Sequence, residues 1–392
     1  MLLSVALIIT LSLILAQIFS KLRLPPILGM LICGIILGPF VFNLIDPNIL
    51  DLSADLRQIA LIIILVRAGL SIDLEDIKKI GRPAIFLAFI PATIEMLAIT
   101  VLAPLIFGMS YLEAAMMGSI VAAVSPAIVV PRMIKLMESG HGAKRKIPHL
   151  ILAGASIDDI YVIVIFMSLI QAYQGQGFNL LQVLLIPVSI ALGILLGIVV
   201  GLLLVYMFKK IHIRDTIKVL IIFSSSFFMV VLEHTLESII PISGLIGVMV
   251  LGTTILKQYD VLAKRLVKKF EKIWVIAEIM LFVLVGAAVH ITVLKTAGMS
   301  AIILILIAMI IRFGAVYLSL LKTPFSSKEK IFVGISYMPK ATVQAAIGSI
   351  PLALGIPQGH LILTVAVLAI IVTAPLGAIL MDRTYKILLE QH

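Results

Sequence analysis

The sequence predicts an all-α membrane protein of about thirteen transmembrane helices. Three observations carry that expectation. Of the 392 residues, 62% are hydrophobic and 13% are charged, against roughly 25% charged in an ordinary soluble domain. So few charges cannot cover a soluble chain of this size, whereas lipid can replace water around most of a membrane protein. The apolar residues also gather in a succession of long runs, and the basic residues between those runs alternate in a way that a miscounted helix would destroy.

The runs fall at 2–19, 25–42, 57–72, 82–108, 111–135, 147–172, 179–207, 216–232, 238–256, 272–291, 299–321, 331–350 and 358–380. A spanning helix needs roughly 20 mostly apolar residues. The third run is short, and the ninth holds Pro241 and three glycines. No stretch between runs is long or polar enough to fold as a separate soluble domain, so residues 1–392 read as one membrane domain. The first run has no Lys or Arg before Lys21. A secretory signal would carry positive charge ahead of its apolar region, so residues 2–19 are expected to remain as a spanning helix.

Of the 30 Lys and Arg residues, 25 lie in the C-terminal tail or in the loops after odd-numbered runs, counting those at the adjoining run ends (Arg82, Arg132, Lys135, Lys218 and Lys272), and two, Arg57 and Lys295, lie at the loops after even-numbered ones. The positive-inside rule then places the N-terminus outside and the C-terminus in the cytoplasm of an inner, plasma-type membrane. The formal net charge of +10 fits anionic lipid and not nucleic acid, because the bases are spread through short loops. The single cysteine, Cys33, leaves no disulfide framework and no Cys-based metal site within the chain. No phosphate loop, nucleophile elbow, zinc spacing or cofactor fingerprint appears, so neither an enzyme nor a bound cofactor is expected.

Ionisable residues inside the runs are costly, roughly 2.5–3.5 kcal/mol each at the bilayer centre on insertion scales, and usually face a cavity. Here they are Glu95, Asp158, Asp159, Arg312 and Lys340. Asp158 and Asp159 stand side by side in an otherwise apolar sixth run, after Ser156. Adjacent helical residues point about 100° apart, so the two carboxylates can face different surroundings. A carboxylate in such a place can hold either a proton or a metal cation, and competition between the two is the chemistry of exchange. Glu95 and Arg312 sit mid-run in the fourth and eleventh segments, where mutual pairing would lower their cost. That pair can be purely structural, or Arg312 can compete with an ion for a carboxylate. If Glu95 neutralises Arg312, both aspartates are left free to carry protons, and exchange would move net charge.

Two runs are interrupted. The fifth reads Val124-Ser125-Pro126-Ala127 with Pro131 following, and prolines remove helix donors and free carbonyls. The twelfth reads Pro339-Lys340-Ala341-Thr342-Val343-Gln344. One break alone would be an ordinary kink. The two lie seven runs apart, as do Glu95 and Arg312, and an odd offset inverts the second copy in the membrane. That is the pattern of an inverted repeat with broken helices meeting at mid-depth. Lys340 is expected to offset the carbonyl ends facing it. Gly29, Gly34 and Gly38 of the second run point to close helix packing.

These stretches, with Leu24-Pro25-Pro26-Ile27-Leu28-Gly29, Arg67-Ala68-Gly69-Leu70 and Ser156-Ile157-Asp158-Asp159, resemble the monovalent cation:proton antiporter superfamily, in particular its sodium/proton antiporter branch with an Asp-Asp pair. The resemblance covers nearly the whole chain. It implies an inverted-repeat antiporter fold with two broken, crossing helices. It implies transport of Na+ or Li+ against H+, with Asp159 binding the ion and Asp158 as its partner. Ser125, Ser156 and the Val124 carbonyl would lie near the ion, and Glu95 with Arg312 would match the family's ion pair. It further implies a homodimer, with ion-transport helices around 82–172 and 299–380 and a dimerisation scaffold from the remainder. The chain mixes family features: it keeps the acid at Asp158, which electroneutral relatives often replace by Asn, and has Arg312 where electrogenic ones have Lys.

Other functions compete with this reading. A K+/H+ exchanger would use the same machinery. A cation channel would need a continuous pore, usually with a repeated filter, and none is present. A sodium-coupled organic anion symporter would need a roomy site.

Overall fold

The computed structural model describes residues 1–71, 81–174, 180–236 and 242–391. The side chains of 156, 160, 171, 180–187, 190 and 234 also lie outside the description, as does Pro241. Among the described residues the chain is helical, with no β-strand. In chain order the helices are α1 (Leu2–Lys21), α2 (Pro26–Leu37), α3 (Pro47–Asp51), α4 (Ser53–Ser71), α5 (Arg82–Phe107), α6 (Tyr111–Ala122), α7 (Pro126–Glu138), α8 (Ile147–Gln174) and α9 (Leu180–Lys210). They continue as α10 (Asp215–Leu236), α11 (Gly244–Gln258), α12 (Asp260–Ala287), α13 (Ile291–Ser319), α14 (Ser327–Ser336), α15 (Thr342–Ile347), α16 (Ile350–Ala353) and α17 (Gly359–Leu388).

Among the described residues, eight helical stretches are long and apolar enough to cross a membrane, counting α6 and α7 together as Tyr111–Glu138. The sequence-based count of thirteen is therefore not reached on length and composition alone, and the shortfall has local causes. Helix α2 is held between Pro26 and Gly38, and α11 starts only at Gly244. Helix α4 carries Asp55, Arg57 and Arg67, and α12 carries Glu271, Lys272 and Glu278. The twelfth run is divided into short pieces by its break. Bulky apolar side chains such as Leu105, Phe228 and Ile310 stand exposed, as residues that face lipid do.

The chain divides into two compact units. One comprises Met1–Ala54, Glu75–Ile170 and Leu281–His392; the other comprises Asp55–Leu74 and Gln171–Met280. In the first, α5 packs along α6 and α13, α1 along α2, and α17 along α13 and α14. Close approach explains a glycine here: a Cβ on Gly34 would lie 2.0 Å from the Val283 carbonyl oxygen, so only glycine lets α2 meet that backbone. In the second unit α11 packs against α9 and α10, and Arg67 pairs with Glu271 at 3.6 Å. Every residue of the candidate site described next belongs to the first unit.

Candidate ion site

Two interrupted helices build the site. Helix α6 opens with a capping box: the Glu113 N–H donates to Ser110 Oγ, and the Glu113 carboxylate accepts the Ser110 N–H at 2.9 Å. It stops at Ala122, where Ala123 and Ser125 turn extended. A proline disfavours helix in the residue before it, and its fixed φ suits the first turn of a new one. Pro126 accordingly starts α7, while Pro131 lies within that helix. Helix α14 opens with the same device, Ser326 with Glu329. It ends at Ser336, before Pro339, and α15 resumes at Thr342.

The two breaks touch. The Ser125 N–H donates to the Pro339 carbonyl at 2.8 Å. The last carbonyls of a helix lack intrahelical donors and carry its negative dipole end, and here they find cations and an amide. Gln344 Nε2 donates to the carbonyls of Ile120 at 2.9 Å, Val121 at 3.3 Å and Ala123 at 2.9 Å. The Ala122 carbonyl accepts from Arg312 Nη1 and from Lys340 Nζ, the latter at 3.2 Å.

Four charged side chains, each at most 1% exposed, form one network. Arg312 Nη1 donates to Glu95 Oε2 at 2.7 Å, and Arg312 Nη2 donates to both Asp158 oxygens at 3.1 Å. Lys340 Nζ donates to the same Glu95 oxygen at 2.7 Å. The Arg312 Nε–H donates to the Tyr337 carbonyl at 2.9 Å. Asp158 Oδ2 also accepts the Val124 N–H at 2.9 Å. Glu95 and Arg312 are therefore in contact, but not as an isolated pair. The sequence-based premise that Arg312 is spent on Glu95, leaving both aspartates free, does not hold. The planar guanidinium has donors enough to face two carboxylates at once, and Lys340 takes a share of Glu95.

Asp159 stands apart. It is half-buried, and its Oδ1 is buried with no hydrogen-bond partner among the described residues. The turn of about 100° between adjacent helical residues swings it away from the cations that hold Asp158. Ser125 Oγ, Tyr337 Oη, Thr342 Oγ1 and Gln344 Oε1 are likewise buried without partners among the described residues. Buried polar atoms are nearly always paired, so such a group of orphans around the two touching breaks marks a place that a ligand can use. Val124 contributes its amide to Asp158; the Ser156 side chain lies outside the described residues.

Sequence reasoning assigned no role to Gln344, Tyr337 or Thr373, nor to the two capping boxes. The boxes were legible as Ser-x-x-Glu ahead of each broken run. Gln344 stood within the quoted motif. Thr373, whose Oγ1 accepts the Lys340 N–H at 2.9 Å, gave no signal, since a lone Thr in an apolar helix usually bonds its own backbone. Thr373 does that as well, to the Ala369 carbonyl at 2.7 Å.

The geometry agrees with what the chain is similar to. Residues 6–382 match the family model described as "Sodium/hydrogen exchanger, transmembrane". Sodium/hydrogen exchanger 9B2 of Bison bison bison is 35% identical, over 94% of this chain and 70% of that protein. Sodium/hydrogen exchanger 9B1 of Homo sapiens is 34% identical, over 94% and 73%. The solved structure of the sodium proton antiporter MjNhaP1 from Methanocaldococcus jannaschii at pH 8 superposes with a TM-score of 0.80 at 20% identity, covering 98% of this chain and 96% of that one. That likeness shows that the chain shares the fold of that antiporter. Match length and identity together place this chain in the sodium/hydrogen exchanger family.

Proposed function

We propose that the protein exchanges Na+ (or Li+) for H+ by alternating access, with cation and proton competing for the Asp159 carboxylate. One observation carries the proposal. The formal charges of Glu95, Asp158, Arg312 and Lys340 cancel within a buried network, and among the described residues Asp159 beside it has no ion-pair partner, its Oδ1 buried without a hydrogen bond. A lone carboxylate in a low-dielectric surrounding is costly, and either a proton or a monovalent cation relieves that cost. Asp159, Ser125 Oγ and Thr342 Oγ1 supply oxygens for the transported cation, with Ser156 and the Val124 carbonyl as further donors. Asp158 acts through position: held by Arg312 and the Val124 amide, it fixes the helix break against α8.

The same charge balance supports one-for-one exchange. With Asp158 committed to Arg312, one titrating carboxylate remains per turnover, so transport carries no net charge. The 25-to-2 division of basic loop residues supports a plasma-type membrane with the N-terminus outside and the C-terminus in the cytoplasm. The family resemblance supports a homodimer.

Proteoliposome flux tests the proposal. Sodium-driven proton movement is expected in the wild type, at a rate indifferent to an imposed potassium diffusion potential. Asp159→Asn keeps the shape but cannot titrate, and is expected to insert and fold with no exchange. Full activity in Asp159→Asn would overturn the mechanism, and a rate that follows the imposed potential would overturn the one-for-one ratio.

A further inference from the structure

Tyr337 is the residue just before the second break, and its side chain is fully buried. Its carbonyl is pinned by the Arg312 Nε–H at 2.9 Å, and its ring lies 5.6 Å from the Arg312 guanidinium carbon. Its hydroxyl, however, has no hydrogen-bond partner among the described residues. If the ring were there only to pack, Phe would pack as well and avoid burying an unpaired hydroxyl.

A second observation says where the hydroxyl points. Gly154 lies one helical turn before Asp158 on α8, and a Cβ built on it would stand 2.0 Å from Tyr337 Oη. Only glycine at 154 leaves room for that oxygen against the aspartate-bearing helix. Arg312 and the Val124 amide already satisfy Asp158, which leaves Asp159 as the group in need of a polar neighbour.

We propose that Tyr337 is a positioning residue of the cation site, with Gly154 clearing the space through which its hydroxyl reaches the Asp158–Asp159 turn to hold the transported cation's water or the Asp159 carboxylate. The proposal rests on the assignment of Asp159 as the cation carboxylate. Because the partner comes and goes with transport, the hydroxyl stands unpaired among the described residues. A water-mediated bond of this kind is worth about two- to tenfold in affinity.

The experiment measures Na+ and Li+ concentration dependence of proton exchange in proteoliposomes for the wild type, Tyr337→Phe, Gly154→Ala and Gly154→Ala with Tyr337→Phe, alongside thermal unfolding in detergent. Tyr337→Phe is expected to raise the Na+ KM about two- to tenfold, with kcat within about twofold and an unfolding temperature equal to or above wild type. A purely structural tyrosine would instead lower the unfolding temperature and leave KM alone. Gly154→Ala is expected to lower the unfolding temperature, and Tyr337→Phe on top of it to restore it. An unchanged Na+ KM in Tyr337→Phe would overturn the proposal, as would a Gly154→Ala defect that Tyr337→Phe fails to relieve. Absence of sodium-driven flux in the wild type would instead overturn the assignment of exchange on which it stands.

Discussion

In the first broken helix, the Val124 amide is held by a side chain of the helix that follows, Asp158 of α8. In the second, the Lys340 amide is held by a side chain of the next long helix, Thr373 of α17. The two arrangements share a register: Ser110, Glu113 and Val124 recur, at identical spacing, as Ser326, Glu329 and Lys340. Each capping glutamate also reaches across to the other half. Glu113 accepts the N–H of Gln358, the residue capping α17, at 3.3 Å, and Glu329 accepts from Arg145, just before α8, at 2.7 Å. The difference lies in what stands on this common frame. The first half sets an acid where the second has a neutral hydroxyl, and the second half sets an ammonium where the first has a valine. The shared spacing frames both breaks, and side-chain asymmetry sets a carboxylate against the first and an ammonium at the second.

Breaking the charge network is expected to have the largest effect. Arg312→Ala strips partners from Glu95 and Asp158 together and should destabilise by about 3–5 kcal/mol, read as a lowered thermal unfolding midpoint. Changing Arg312→Gln together with Asp158→Asn leaves the Glu95–Lys340 pair intact and neutral, and should recover much of that loss. If the double variant is no more stable than Arg312→Ala, Arg312 does not divide itself between the two acids.

Next comes the neutral capture in the second half. Thr373→Val keeps the shape and leaves the Lys340 amide unpaired, at an expected cost of about 1–3 kcal/mol. Sodium KM should stay at its wild-type value, because the carboxylate proposed to hold the ion lies in the first half. A KM shift comparable to that of a variant at Asp158 would erase the asymmetry drawn here. The capping glutamates should give the smallest effects, and matched ones. Glu113→Gln and Glu329→Gln are each expected to cost about 1 kcal/mol, since caps and partly exposed pairs are individually modest. A large loss in one and none in the other would show that the shared spacing has no shared role.

Much of this was legible in the sequence because membrane burial makes charge and proline conspicuous. Glu95, Asp158, Asp159, Arg312, Lys340 and both breaks stand out against apolar runs. The depth of each residue was readable too, which is why Glu95 and Arg312 fell at the same level. The division of Arg312 between Glu95 and Asp158 was not readable, because depth fixes a level and not a direction around the helix axis. The same limit hid Gln344, which reaches carbonyls more than two hundred positions away in the chain, and the space that Gly154 leaves for Tyr337.

The neutrality of the four-membered network also bears on leakage. In the proposed cycle the occupied carrier, with either a proton or a sodium ion on Asp159, has no net charge at its centre. The empty carrier is left with one unbalanced negative charge there, and moving it past an apolar barrier costs desolvation that neither loaded form incurs. Return without cargo is therefore the slow route, and the protein resists letting the sodium gradient run down without a proton moving the other way.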